Sequence, residues 1–198
     1  MSNTAENTTK PAKPVSRARR PAAKGIDMSV LIPMGIVLAL FALSTQFPPT
    51  VQPAANKPFN TFEEFYPFYI SQHADNTCRR MHFVGTTLVF LLTLLDPFML
   101  PSLVLGGMVG YVGFLHTRGM DHGLVEMLAM FATFQFFVKR LSGKWQLGLA
   151  TLVIGYTFAW IGHFFFEHNR PATFIYPLFS LMGDFKMWFE ILSTQRAW

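Results

Sequence analysis

Beyond residue 27 the chain alternates long apolar runs with short polar punctuation. Met28 to Phe47 is apolar almost throughout, with Pro33 as a potential kink, and has the length of a membrane span. The Pro-rich stretch "PPTVQPAANKPFN", residues 48–60, reads as a linker and a boundary. "TFEEFYPFYISQH" then opens with Thr61 and, three residues on, Glu64, a capping-box pattern; its aromatic density predicts an interfacial helix. Four apolar stretches follow, at about 83–95, 98–115, 123–138 and 145–166. The turns between them are "LLDPFMLP", where Asp96, Pro97 and Pro101 resist helix, then "HTRGMDHG" and "KRLSGK". Tyr176 to Leu192 mixes aromatic bulk with Asp184, Lys186 and Glu190, an amphipathic rather than a spanning pattern. The pattern predicts an all-α, polytopic membrane helical bundle of four core spans, with one N-terminal span and interfacial helices. Its divisions are a disordered basic tail (1–25), a span with linker (26–58) and a membrane domain (59–198).

Composition strengthens the membrane assignment. Residues are 51% hydrophobic and 14% charged, against ~25% charged in soluble domains. The expectation is an integral membrane protein, of the inner membrane in a bacterium or the endoplasmic reticulum in a eukaryote. The net charge of +5 arises largely in the tail, from Lys10, Lys13, Arg17, Arg19, Arg20 and Lys24. Basic residues flanking a span set topology and attract anionic lipid. No aromatic-basic motif accompanies them, which argues against nucleic acid as a partner. The tail is not a cleaved signal either, because the apolar run after it is too long and ends at "FPPT". Cys78 is the sole cysteine, so no intrachain disulfide forms and thiol clusters are excluded; any metal is then expected on His, carboxylate or amide groups.

The six histidines change the picture further. If the four core stretches each cross, His73 and His82 precede the first crossing, His116 and His122 follow the second, and His163 and His168 follow the fourth. An even number of crossings separates the pairs, so all six emerge at one face. His163 and Glu167, four apart, share a helix face, whereas His168 is rotated from His163 by roughly 140° unless the helix ends near Glu167. "HNRP" supplies such an end. His73 and His82, nine apart, converge only if the helix breaks between them; "ADNT" offers the break, with Asp75 or Asn76 as the new cap. Converging imidazoles suit Fe, Zn, Cu or Ni; the alternative is six interfacial histidines without chemistry. His116 and His122 flank a turn, where metal contact and loop or cap roles are both open. Arg79, Arg80 and Arg170 on that face suit either a carboxylate or phosphate head group or interfacial anchoring.

Two stretches, "FYPFYISQHADNTCRRMHFVGTTL" and "WIGHFFFEHNRPATFIYPLFSLMGDFKMWFEIL", resemble the membrane family of 2-hydroxy fatty acid dioxygenases, associated with phytosphingosine breakdown to odd-chain fatty acids. The resemblance covers about residues 59–194 and rests on H-x2-N-x5-H followed by G-H-x3-E-x-N-x-P. It implies a helical membrane bundle using Fe(II) and O2 to shorten a 2-hydroxy fatty acid by one carbon, with membrane lipid around it. It implies His73, His82 and His163 as iron ligands and Glu167 in the catalytic set; His168 departs from the family's pattern and is a fourth ligand candidate by its place at the helix end. Asn76, Asn169, Arg79, Arg80 and Arg170 are then the candidates for the substrate's polar end. Di-iron hydroxylases are also His-rich, but this chain has none of their H-x3-4-H or H-x2-H-H boxes. Outside this resemblance stand a non-catalytic lipid-binding or scaffold protein and a zinc-dependent membrane hydrolase.

Overall fold

A computed structural model describes residues 27–198; the tail expected to be disordered, residues 1–25, lies outside them. Among the described residues the protein is all-helical. Its helices are α1 (Met28–Gln46), α2 (Phe62–Ser71), α3 (Asn76–Leu94), α4 (Met99–Thr117), α5 (Leu124–Phe137), α6 (Trp145–Ile161) and α7 (Pro177–Leu192). Two of them end in wider, π-helical turns: Val138–Ser142 after α5 and Gly162–Glu167 after α6.

Local chemistry accounts for the starts. Thr61 Oγ1 accepts the N–H of Glu64 at 3.2 Å, and Glu64 reaches back to the N–H of Asn60 at 2.8 Å, one residue beyond the usual reciprocal partner. Asp75 caps α3 through the N–H of Cys78 at 2.9 Å. Pro177 occupies the first turn of α7, where its missing N–H costs nothing. The third helix thus begins at Asn76, where the Asp75 cap at "ADNT" was expected to restart it, and the apolar stretch from about residue 83 forms its later turns.

In the bundle α4 packs on α5, α3 on α6, and α1 against α4, while α7 lies across α2 and α3. Gly85 permits the α3–α6 crossing: a Cβ there would stand 2.7 Å from that of Phe158. The two ends are distinct. At one, Lys144 Nζ pairs with Asp96 Oδ2 at 3.0 Å, joining the α3–α4 and α5–α6 turns, and Arg140 meets Ser29 at the start of α1. At the other, Arg118 O accepts the N–H of Ala54 at 2.9 Å, and Phe174 O accepts that of Gly123 at 2.7 Å. The linker, the α4–α5 turn and the segment after α6 therefore gather where the histidines were expected.

Among the described residues three helices are long and apolar enough to cross a membrane: α1, α4, and α6 with its π turn, together Trp145–Glu167. Only 17% of α1's apolar window is buried within the protein, so most of it faces outward. α3 opens with Arg79 and Arg80, and α5 has 14 residues, about 21 Å at 1.5 Å per residue, against a hydrocarbon core of about 30 Å.

The linker is not merely a surface connection. Its Lys57 is fully buried and pairs with Glu126 of α5 at 2.6 Å. Thr117 Oγ1 donates to the same carboxylate oxygen at 2.8 Å.

Candidate metal centre

The α2 helix stops at Ser71 and α3 starts at Asn76, leaving His73 in the break and His82 two turns into α3. His163 enters from the far end of the chain, in the π turn after α6. The three rings pack with centroids 4.5 Å (His73–His82), 4.7 Å (His73–His163) and 5.0 Å (His82–His163) apart. All three are buried.

Each imidazole is oriented in the same way. His73 Nδ1 lies 2.6 Å from the carbonyl oxygen of Tyr69, His82 Nδ1 2.6 Å from Asp184 Oδ1, and His163 Nδ1 2.7 Å from Asn169 Oδ1. A carbonyl, a carboxylate and an amide oxygen only accept, so each Nδ1 carries the proton and each Nε2 lone pair is free. The Nε2 atoms of His73 and His82 are buried with no hydrogen-bond partner in the protein. An unsatisfied buried acceptor costs about 1–3 kcal/mol, and a cation held between the rings would remove that cost. Burial first, then the neighbouring His82 and His163, hold the His73 imidazole well below its ordinary range; it is the neutral form that ligates.

Cys78 completes the set. One ligand atom from each of His73, Cys78, His82 and His163 lies within 4.8 Å of the others, so this buried group could hold a metal ion. The donor set suits iron, zinc or copper more than magnesium or calcium. The sequence expectation that a metal would sit only on His, carboxylate or amide groups is thereby corrected. A single cysteine cannot make a thiol cluster, but it can join imidazoles, and Cys78 stands one turn before His82 on the same face of α3. Gly162 makes room for it: a Cβ there would come within 3.1 Å of the Cys78 sulfur.

Other candidate residues surround the break instead of the converging atoms. Glu167 accepts the N–H of Ala74 on Oε1 at 2.8 Å and that of Asp75 on Oε2 at 2.7 Å. Asn169, besides orienting His163, donates to Gln72 O at 3.0 Å. Arg79 donates to the carbonyls of His73 at 2.9 Å and Ala74 at 2.7 Å and meets Asn76, which is exposed. These contacts fasten residues 72–76, so that His73 is held in place by groups from α3 and from the segment that ends α6. Arg80 is exposed, and Arg170 is exposed with its guanidinium over the Phe174 ring at 5.2 Å. His168 is also exposed: it ends the π turn in the left-handed conformation, φ 53°, which turns it away from His163. His116 Nε2 lies 3.2 Å from Ser44 Oγ, and His122 Nδ1 accepts the N–H of Leu124 at 3.3 Å. Three of the six histidines converge; His116, His122 and His168 lie outside the group.

Asp184 was read from the sequence only as one charge on an amphipathic helix. Its Oδ1 takes both the His82 Nδ1 proton and the Tyr69 hydroxyl, the latter at 2.7 Å. A histidine ligand backed by a carboxylate is the arrangement that fixes ring orientation and raises basicity at metal sites.

A cavity of about 110 Å³ extends from the cluster into the bundle, many times the 10–15 Å³ that one water requires. Its polar end is formed by Tyr69, the three histidines, Ser180 and Asp184, and its far end by Leu103, Phe134, Thr151 and Leu152. Among the described residues no arginine or lysine lines it.

A family model described as "2-hydroxy-palmitic acid dioxygenase Mpo1-like" matches residues 59–196, well over half of the chain. No curated protein and no solved structure matches.

Proposed function

The chain belongs to the 2-hydroxy-palmitic acid dioxygenase Mpo1-like family, and from that premise we propose that it is an Fe(II)-dependent membrane dioxygenase that shortens 2-hydroxy fatty acids by one carbon with O2. The observation that carries this reading is the set of three Nδ1-anchored imidazoles whose free nitrogens converge at the mouth of an apolar cavity. His73, His82 and His163 would hold the iron, with Cys78 beside them as a fourth donor. When bound, the iron supplies oxygen activation and the positive charge that a carboxylate head group needs.

The protein's own residues do the rest. Tyr69, Asp184 and Asn169 keep each ring proton on Nδ1, so no imidazole rotates away from the centre. Glu167 and Arg79 act as positioning residues that hold the 72–76 break and hence His73. Arg80, Arg170, His168 and Asn76, exposed near this end, would meet a lipid head group outside the cavity. The apolar walls exclude water from the reacting end. The reading takes α3 and α5 as spans beside α1, α4 and α6, because they connect the same two ends of the bundle as α4 and α6.

Protein purified in detergent and loaded with Fe(II) is expected to hold one iron per chain and to consume oxygen when 2-hydroxypalmitate is added, releasing the acid one carbon shorter. The thiol in the donor set favours one second reading, a zinc-dependent hydrolase. Stoichiometric zinc with no oxygen uptake after iron loading would select it, and no stoichiometric transition metal at all would leave a lipid-binding or scaffold protein.

A further inference from the structure

We propose that the cavity beneath the cluster is an alkyl-chain slot and that Gly155 sets its working depth, so that this one position on α6 decides which chain lengths are accepted. The inference rests on the function proposed above and specifies its substrate.

The slot has a direction. Along α6, His163, Ala159, Gly155 and Thr151 all line the cavity at a spacing of four residues, which places them on one helix face. His163 stands at the polar end, in the π turn; within α6, Gly155 lies about 6 Å and Thr151 about 12 Å beyond Ala159 along the axis, at 1.5 Å per residue. The lining atoms that are fully buried and without a partner cluster at the first end. There the buried Nε2 atoms of His73 and His82 have no partner, and neither does Ser180 Oγ. Ser180 is 6% exposed, lines the cavity and stands one turn before Asp184 on α7. Further in, the Thr151 hydroxyl donates to Leu147 O at 2.9 Å and Tyr156 Oη lies 3.2 Å from Thr173 Oγ1, which leaves Thr86, one turn past His82, as the remaining hydroxyl on the wall. A ligand that fits has a hydrogen-bonding head at the histidines and a plain hydrocarbon tail.

Gly155 stands apart from the glycines that packing requires. At Gly85 and Gly162 an added Cβ would meet Phe158 at 2.7 Å and Cys78 at 3.1 Å, whereas at Gly155 it would lie 3.5 Å from Val89 Cγ2, an ordinary contact. Glycine within a helix is unfavourable relative to alanine, and no neighbour demands it here. What it leaves open is cavity, between α6 and Val89 of α3.

The test uses the iron-loaded, full-length protein and straight-chain 2-hydroxy acids from octanoate to stearate length. It also uses a turnover-independent measurement, displacement of a fluorescent fatty acid by unhydroxylated acids of the same lengths. In Gly155→Leu both profiles are expected to move to shorter chains, with the longest acids losing about 15-fold for every two methylenes excluded, from ~0.8 kcal/mol per buried methylene. Gly155→Ala is expected to shift them less, and Val89→Phe, which narrows the same point from α3, to reproduce the shift if Gly155→Leu does not fold. Unchanged length profiles in the folded variants would overturn the proposal. Shifted displacement profiles in a protein that never oxidises these acids would instead uphold the slot and reject the dioxygenase reading.

Discussion

Two buried polar clusters among the described residues are finished differently. Around Lys57 and Glu126 the chain supplies both charges, and Thr117 adds a hydroxyl to the shared oxygen. One carboxylate oxygen is left without a partner, but the adjacent ammonium already neutralises it. Around His73, His82 and His163 every Nδ1 is satisfied, while the Nε2 atoms of His73 and His82 are buried without a partner. Burying polar atoms is costly in both places. The first cluster settles that cost internally and so reads as architecture. The second leaves it to an occupant, which marks it as a site.

Four tests would break or sharpen the contrast. The largest effect belongs to His73→Ala or His163→Ala, each expected to abolish stoichiometric iron and 2-hydroxypalmitate-dependent oxygen uptake; elemental analysis with an oxygen electrode reads both, and an active variant would remove that residue from the ligand set. Next, Lys57→Met leaves a buried carboxylate without its counter-charge, for an expected loss of about 3–5 kcal/mol, whereas Lys57→Met with Glu126→Leu should recover most of it. Thermal unfolding checks this, and iron per folded chain should not change. Asp184→Asn removes the charge behind His82 and is expected to weaken metal binding by roughly 10–100-fold in chelator competition, with the fold retained. Smallest is Glu167→Gln, which cannot accept both backbone N–H groups as strongly. A local loss of roughly 1–2 kcal/mol would appear as faster hydrogen exchange at the Ala74 and Asp75 amides, and unchanged exchange would deny Glu167 its hold on the break.

Much of the frame was legible before any coordinates, because it follows from local rules. The apolar runs, the Thr61 start, the restart after "ADNT" and the stop at "HNRP" are short-range signals, and the structure places helix boundaries close to each. Convergence of His73, His82 and His163 was legible only through the break and the paired motifs. What was missed depends on partners distant in the chain. Cys78 was counted as a thiol too few, when its position one turn from His82 was the informative fact. Asp184 looked like one charge of an amphipathic helix, since its link to His82 spans 102 positions. Lys57 sits in a Pro-rich stretch whose composition predicts exposure, and only the fold supplies Glu126. For Glu167 the shared helix face suggested that it joins His163, but the π turn carries its carboxylate to the start of α3.

The Lys57 pair bears on how the protein can be cut. The family match begins at residue 59, so the acid belongs to the matched portion and the base that neutralises it stands just upstream. An excised fragment starting at that limit would retain the glutamate in a dry interior and discard its counter-ion. Trimming the chain there therefore calls for an uncharged residue at position 126, or for a start early enough to keep the lysine.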